Sequence, residues 1–554
     1  MLGTLSCIRG PRGVRAGRRV RGPRGTGVGR QVRAPLAAAL AAAVTLASCS
    51  TAARPTTPAS ARHQGSNPVV ATADGRLRGR AAGPVDEFLG IPYAAPPVGA
   101  LRWRPPQPAA RWTGVRAATR FGPHCPQYGS PFGLASMSEN CLFLNVYAPA
   151  GSSRGSLPVM VWIHGGDLTA GESNDYNPAG LVRDGVIVVT INYRLGALGF
   201  LADPALASRA GGASGDYGLM DQQAALRWVR RNIGQFGGDP GNVTISGESA
   251  GGLSVLAQLV SPAARGLFAK AIIESGSYSL LQPSLATAEA SGEAFAAKVG
   301  CASQTAACLR RLPVQTILDD QGAMGPDVDG TVLTRTIGTA LASGDFSHVP
   351  VINGTNHDEW RLFIAIFRPL TGPVTAANYR SMLASTASVS PAEARVVAAH
   401  YPLSSFASPA EALGAVGTDE IFACPALRMD QELSRFTPTF AYEFNDQHAP
   451  ERFLPPISGF SYGAAHASEL QYLFQLNASA LPGNLTAQQQ RLAASMRRYW
   501  TNFARSGSPS ASGVPPWPRF GDGQQMISLI PPAPQLETGF AAEHQCAFWA
   551  AAHS

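Results

Sequence analysis

The 554-residue chain is poor in charge: Asp, Glu, Lys and Arg make up 14% of it, against 45% hydrophobic residues. That balance excludes a disordered, solvated chain and leaves a globular protein with ample material for a core. No CxxC pair and no HExxH occurs, so a zinc site has no support. No internal repeat is present either. The Ala-rich run PLAAALAAAVTLAS (35–48) is too short for a comfortable membrane span.

Acids are missing altogether from residues 1–48, which hold nine arginines; taking these from the formal charge of +8 leaves −1 for the rest of the chain. The basicity therefore belongs to a leader, and no nucleic-acid partner is expected. A basic segment, a short apolar run and a small-residue junction form a secretory signal over residues 1–48. The junction Leu46-Ala47-Ser48-Cys49 resembles the bacterial lipoprotein box, which predicts lipidation of Cys49 and a membrane partner through that anchor; plain signal cleavage is the alternative. Residues 49–66 are small, polar and Pro-containing, as a flexible tether would be, and 67–554 read as a single domain. With Cys7 and Cys49 set aside, Cys125, Cys141, Cys301, Cys308, Cys424 and Cys546 remain, and an even count in an exported chain favours disulfides.

From Asn67 onward, short β-branched runs such as LPVMVWIH (157–164), GVIVVTINY (185–193), NVTIS (242–246), KAIIES (270–275) and VPVINGT (349–355) alternate with helix-like stretches. In DQQAALRWVRRNIGQF (221–236), Ala225, Leu226, Val229 and Ile233 recur at helical spacing. Near-continuous apolar strands between helices predict an α/β fold with a mostly parallel sheet covered on both faces. The stretches 280–340 and 370–480 are richer in helical patterns and are expected to cap it.

After the run VTIS comes GESAG (247–251), which fits G-x-S-x-G, a strand-to-helix turn that lifts a serine above the sheet. The glycines are needed because the turn is tight and neighbouring backbone passes close by. Ser249 is then a candidate nucleophile, with the Ala250 N–H at the start of the next helix aimed at developing negative charge. A serine needs a base and an orienting acid, and in this arrangement the acid and then the base follow it in the chain. Glu359, after the run VPVI, is the candidate acid with Asp358 as rival; His466 is the candidate base, with His448 and His400 as competitors. His357 reads as a solvated loop residue. WIHGGDL (162–168) follows another strand, and its glycines resemble the turn that supplies backbone donors to an oxyanion, here the N–H groups of Gly166 and Asp167. Each such donor is worth roughly 3 kcal/mol of transition-state stabilisation.

At this point the chain resembles the type-B carboxylesterase family, the esterase and lipase branch of the α/β-hydrolases that includes the cholinesterases. The likeness runs through FLGIPYAAPPVGALRW (88–103), SENCLFLNVYAP (138–149), NYRLGALGFL (192–201), GLMDQQAALRWVRRNIGQFGGDPGNVTISGESAGG (218–252) and CAFW (546–549), and covers nearly all of 67–554. It implies an α/β-hydrolase domain with Ser249 as nucleophile, His466 as general base and acid, and Glu359 as its partner. It also implies support from Glu248 and Ser275, and disulfides Cys125–Cys141, Cys301–Cys308 and Cys424–Cys546.

The resemblance thus predicts a serine carboxylester hydrolase for short- to medium-chain esters, working through an acyl-enzyme without metal or organic cofactor. A lipase, amidase or carbamate hydrolase with the same triad, or a non-catalytic binding protein on the same fold, are the alternatives. Three departures stand out. Asp167 and Leu168 occupy the oxyanion turn where relatives carry Gly or Ala and then Phe, and a carboxylate there opposes catalysis unless it points away, is protonated or meets a cation. Trp360 stands where many relatives have glycine and is expected to fill space behind the acid loop. The Cys125–Cys141 loop contains no Trp, so choline esters are not the expected substrates.

Overall fold

The computed structural model of the chain describes residues 67–552, apart from 153–154, 208–213, 304, 478–480 and 522. The expected signal segment, the tether and Cys49 lie outside the described residues. Among the described residues, an eleven-stranded sheet runs in the order Arg80–Ala82, Val85–Pro92, Phe143–Pro149, Ile187–Ile191, Leu157–Ile163, Gly238–Glu248, Lys270–Glu274, Val351–Asn356, Thr439–Phe444, Met526–Leu529, Gln535–Glu537. Pairing is parallel from Ile187–Ile191 through Met526–Leu529 and antiparallel at both flanks.

The unbroken apolar runs follow from covering both faces. Successive side chains of a strand point to opposite faces: Val159, Val161 and Ile163 join one buried cluster, Met160 and Trp162 the other. The first cluster is closed by the helices Tyr217–Asn232 and Ala250–Val260, the second by Ala487–Ser506. Ala225, Leu226, Val229 and Ile233 are all fully buried, although the helix begins earlier than its apolar stripe, at Tyr217.

The capping stretches are helical, with Leu285–Lys298 in the first and Tyr379–Thr386, Pro391–His400, Pro409–Gly417 and Cys424–Ser434 in the second. Two details depart from the sequence reading. Thr439–Phe444, within the supposed cap 370–480, is an interior strand of the sheet; at six residues, TFAYEF is too short for periodicity to separate strand from helix. GAAHASELQYLF (463–474) reads as the base followed by an apolar helix, but behind His466 stands only the single turn Leu470–Leu473.

Disulfides join Cys125 to Cys141, Cys301 to Cys308 and Cys424 to Cys546. The first closes a loop with a sequence separation of 16, for which the chain-entropy contribution is about 3 kcal/mol. The third ties the terminal helix Cys546–Ala552 to the cap. No helix among the described residues is long and apolar enough to cross a membrane.

Candidate active site

Parallel strands end together, so their loops collect along one edge of the sheet. The strand Gly238–Glu248 stops at Glu248 and the helix Ala250–Val260 starts two residues later, leaving Ser249 alone on the turn at φ 57° and ψ −122°. A non-glycine residue holds such a conformation only when its surroundings enforce it. Here the Ser249 N–H donates to the Glu274 carbonyl at 2.8 Å and the Leu253 N–H to the Ser249 carbonyl at 2.9 Å. A Cβ on Gly251 would lie 2.0 Å from the Ile163 carbonyl oxygen, and one on Gly247 would lie 2.5 Å from the Gly251 backbone. Both glycines are therefore steric requirements of the turn.

The second turn packs against the first: a Cβ on Gly165 would stand 2.8 Å from the Glu248 carbonyl oxygen and 3.1 Å from Ser249 Cβ. Gly166, Asp167 and Leu168 all have positive φ, at 100°, 56° and 56°. They are held by N–H donation from Ala170 to the Gly166 carbonyl at 2.9 Å and from Gly196 to the Leu168 carbonyl at 2.7 Å. The Tyr193 hydroxyl donates to the His164 carbonyl at 2.8 Å while its ring stacks on that imidazole. Among the described residues, the N–H groups of Gly166, Asp167 and Ala250 find no protein acceptor. Burial pushes the Asp167 carboxyl up to about 7, so near neutral pH it is partly protonated.

Glu359 and His466 meet from 107 residues apart. Glu359 Oε2 is 2.5 Å from His466 Nδ1, and its Oε1 accepts from Ser275 Oγ at 2.5 Å, Thr355 Oγ1 at 2.7 Å and the Asn356 N–H at 2.7 Å. The carboxylate is fully buried, and these donors replace the water it has lost. The other imidazole nitrogen, Nε2, lies 3.1 Å from Glu248 Oε1, without hydrogen-bond alignment. Phe363 and Phe422 wall the ring at centroid distances of 5.0 and 5.2 Å. Burial by itself lowers the imidazole pKa, but the carboxylates of Glu248 and Glu359 outweigh it and raise it to about 9. Burial raises Glu248 in turn.

The Ser249 hydroxyl interacts with the Tyr278 phenol; no hydrogen bond joins it to His466 in this structure. Tyr278, Glu469, Glu274 and Trp500 escaped the sequence reading. Glu469 accepts from Asn356 Nδ2 at 2.5 Å, and Glu274 accepts from Trp500 Nε1 at 2.9 Å. The spacing of Glu469, three residues after His466, was a local signal; the helix that brings Trp500 was not.

The competitors are engaged elsewhere. Asp358 accepts from the Ala464 N–H at 2.9 Å and pairs with Arg361 at 2.8 Å, which braces the acid loop against the His466 loop. His448 is exposed, and His400 stacks on Phe548. His357 is not a solvated loop residue: it is half-buried between Asp358 at 3.3 Å and Glu543 at 3.0 Å, and these carboxylates outweigh its desolvation and raise its pKa to about 11. Trp360 is buried against Phe363, and a Cβ on Gly417 would lie 2.2 Å from its ring. It fills space, and it also lines a cavity of about 1580 Å³ that reaches the turns through Asp167, Leu168 and Tyr278.

Comparison with known proteins agrees with this geometry. Residues 66–549 match the carboxylesterase family. The chain is 37% identical to a cocaine esterase of Homo sapiens, over 85% of this chain and 88% of that protein. It is 36% identical to a fumonisin B1 esterase of Sphingopyxis macrogoltabida, over 81% and 84%, and 36% identical to a liver carboxylesterase of Sus scrofa, over 82% and 88%. With an α/β-hydrolase sheet, a serine on its strand-to-helix turn and relatives matched over most of their length, this chain belongs to the carboxylesterase family and is a carboxylic ester hydrolase.

Proposed function

We propose that the protein hydrolyses short- to medium-chain carboxylic esters through an acyl-enzyme on Ser249. His466 Nε2 takes the hydroxyl proton as Oγ attacks the ester carbonyl. The N–H groups of Gly166, Asp167 and Ala250 receive the oxyanion, and collapse of the tetrahedral intermediate expels the alcohol, which takes the proton back from His466. Water then repeats the sequence on the acyl-enzyme, releasing the acid and restoring Ser249. Glu359 holds the imidazole by Nδ1 and stabilises its cationic form. Ser275 orients Glu359, and Glu248 stands beside the imidazolium. The Ser249–His466 hydrogen bond forms with substrate bound, as catalytic contacts commonly tighten at that stage.

The observation that carries this reading is the Glu359 carboxylate, with three donors on one oxygen and the His466 imidazole on the other. Its test is turnover of p-nitrophenyl esters from acetate to palmitate with Ser249→Ala as the blank. Serine-dependent turnover peaking at short chains is expected; a peak at palmitate moves the assignment to a lipase, and turnover equal to the blank overturns the mechanism.

Residues 67–554 act as a single catalytic domain in this reading, exported by the segment 1–48 and held at the membrane through a lipid on Cys49. The disulfides support an oxidising compartment. Cys49→Ala should move the protein from the membrane to the soluble fraction, and retention would count against lipidation.

A further inference from the structure

The cavity beside the site carries charge that ester hydrolysis does not use. Among its lining residues are the carboxyls of Asp167, Glu420 and Glu432, with Arg428 as the one cation among the described ones. Glu432 pairs with Arg435 at 2.8 Å, and Arg428 is exposed. Asp167 and Glu420 differ. Among the described residues no cationic side chain pairs with either, both residues are half-buried, and Glu420 Oε2 is itself buried without a hydrogen-bond partner. Removing a carboxylate from water without a partner is costly, so it protonates or acquires a cation. Burial raises both groups to about 7, where either outcome is within reach.

Local backbone supports a functional origin for both. Asp167 is held at φ 56° on the turn beside Ser249. Glu420 lies on the π-helical turn Thr418–Ala423, the same turn that sets Phe422 against His466; such turns inside helical segments recur at functional sites.

We propose that this cavity is a subsite for the ammonium group of an amine-bearing ester, with Asp167 and Glu420 accepting its N–H donors. The proposal rests on the ester-hydrolase reading and names its substrate class. A protonated primary amine suits the wall because it brings both charge and hydrogen-bond donors to two carboxylates; a quaternary ammonium brings charge alone. Apolar residues such as Leu168, Leu253 and Met324 would cover the carbon chain between amine and ester. The occupant also removes the difficulty posed by Asp167. Its carboxylate opposes an oxyanion when a neutral ester is bound, whereas a substrate ammonium would neutralise it during turnover. The titratable groups facing the bound amine are Asp167, Glu420 and Tyr278, with Glu432 and Arg428 on the same wall.

The test compares kcat/KM for two isosteric pairs: 6-aminohexyl butyrate with heptyl butyrate, and methyl 6-aminohexanoate with methyl heptanoate. In at least one pair the ammonium ester should be preferred by about 10-fold at pH 8. Because the carboxyls lose their charge as pH falls through about 7, the preference should shrink several-fold at pH 6, while the amine stays protonated throughout. The ratio cancels the shared titration of His466. In the Asp167→Asn/Glu420→Gln double variant it should approach 1; Glu420→Gln alone, outside the oxyanion turn, should fall between. Serine-dependent turnover of the neutral esters with a wild-type ratio at or below 1 in both pairs would overturn the subsite alone, as would a ratio unchanged in the double variant. Absence of turnover on all four esters would overturn the hydrolase mechanism and the subsite with it.

Discussion

Two histidines of this protein sit in nearly the same electrostatic setting and invite different roles. His466 has Glu359 on Nδ1 at 2.5 Å and Glu248 near Nε2 at 3.1 Å; His544 has Asp419 on Nδ1 at 2.6 Å and Glu443 on Nε2 at 2.7 Å. Both are buried, and in both the flanking carboxylates outweigh desolvation, raising the pKa to about 9 and about 10. Carboxylates around an imidazole therefore do not make a general base. What separates the two is the free face. Nε2 of His544 is committed to a well-aligned bond with Glu443, whereas Nε2 of His466 has no aligned partner and lies next to the residue preceding Ser249. His544, two residues from the disulfide at Cys546, clamps the terminal helix to the body.

Paired substitutions should break this symmetry most visibly. His466→Gln is expected to lower kcat by about 10³-fold or more, with a smaller loss of stability than at His544 because Glu359 keeps three other donors. His544→Gln should leave kcat within a few-fold while unfolding becomes easier by about 3–5 kcal/mol, because buried carboxylates lose their partner. Because the folded-state pKa of His544 is raised above 6.5, its contribution is fully present below that value and is lost as pH rises through about 10. The stability gap between wild type and variant, followed by thermal unfolding, should narrow over that window. Equal activity losses in the two variants would erase the distinction.

A finer test is the acid limb of the pH–rate profile. In the proposed mechanism His466 must be neutral to act as base, and its pKa is raised, so kcat/KM for a neutral ester should climb with pH above the usual imidazole range. Glu248→Gln removes one of the groups that raises it and should move the limb to lower pH, while the corresponding change at Glu443 should leave the limb in place. A limb unmoved by Glu248→Gln would mean that Glu359 alone sets the titration.

The smallest effect is expected at Asp167. Asp167→Gly installs a residue type that the family resemblance implies at that position and should leave turnover of a small neutral ester unchanged or raise it, most clearly at pH 8, where the carboxylate is charged. A large loss would assign the aspartate a positive role in chemistry on neutral esters.

Much of this was legible along the chain. Gly247, Ser249 and Gly251 are dictated by sterics within five residues and one neighbouring strand, so they can be read from the motif, and the parallel sheet follows from apolar runs that need cover on both faces. The strand Thr439–Phe444 was missed because six residues give too little periodicity. The half-buried setting of His357 was missed because its partner Glu543 lies 186 residues away.

Sequence determined the tight turns, most of the interior strands and the candidate groups for the chemistry, because backbone sterics and side-chain periodicity act over short stretches. Tertiary structure alone decided which of two carboxylate-flanked histidines keeps a nitrogen free, and that Asp167 and Glu420 line one cavity with no cationic side chain paired to either among the described residues. Such properties depend on burial and on charges summed over groups far apart in the chain, which no local pattern records.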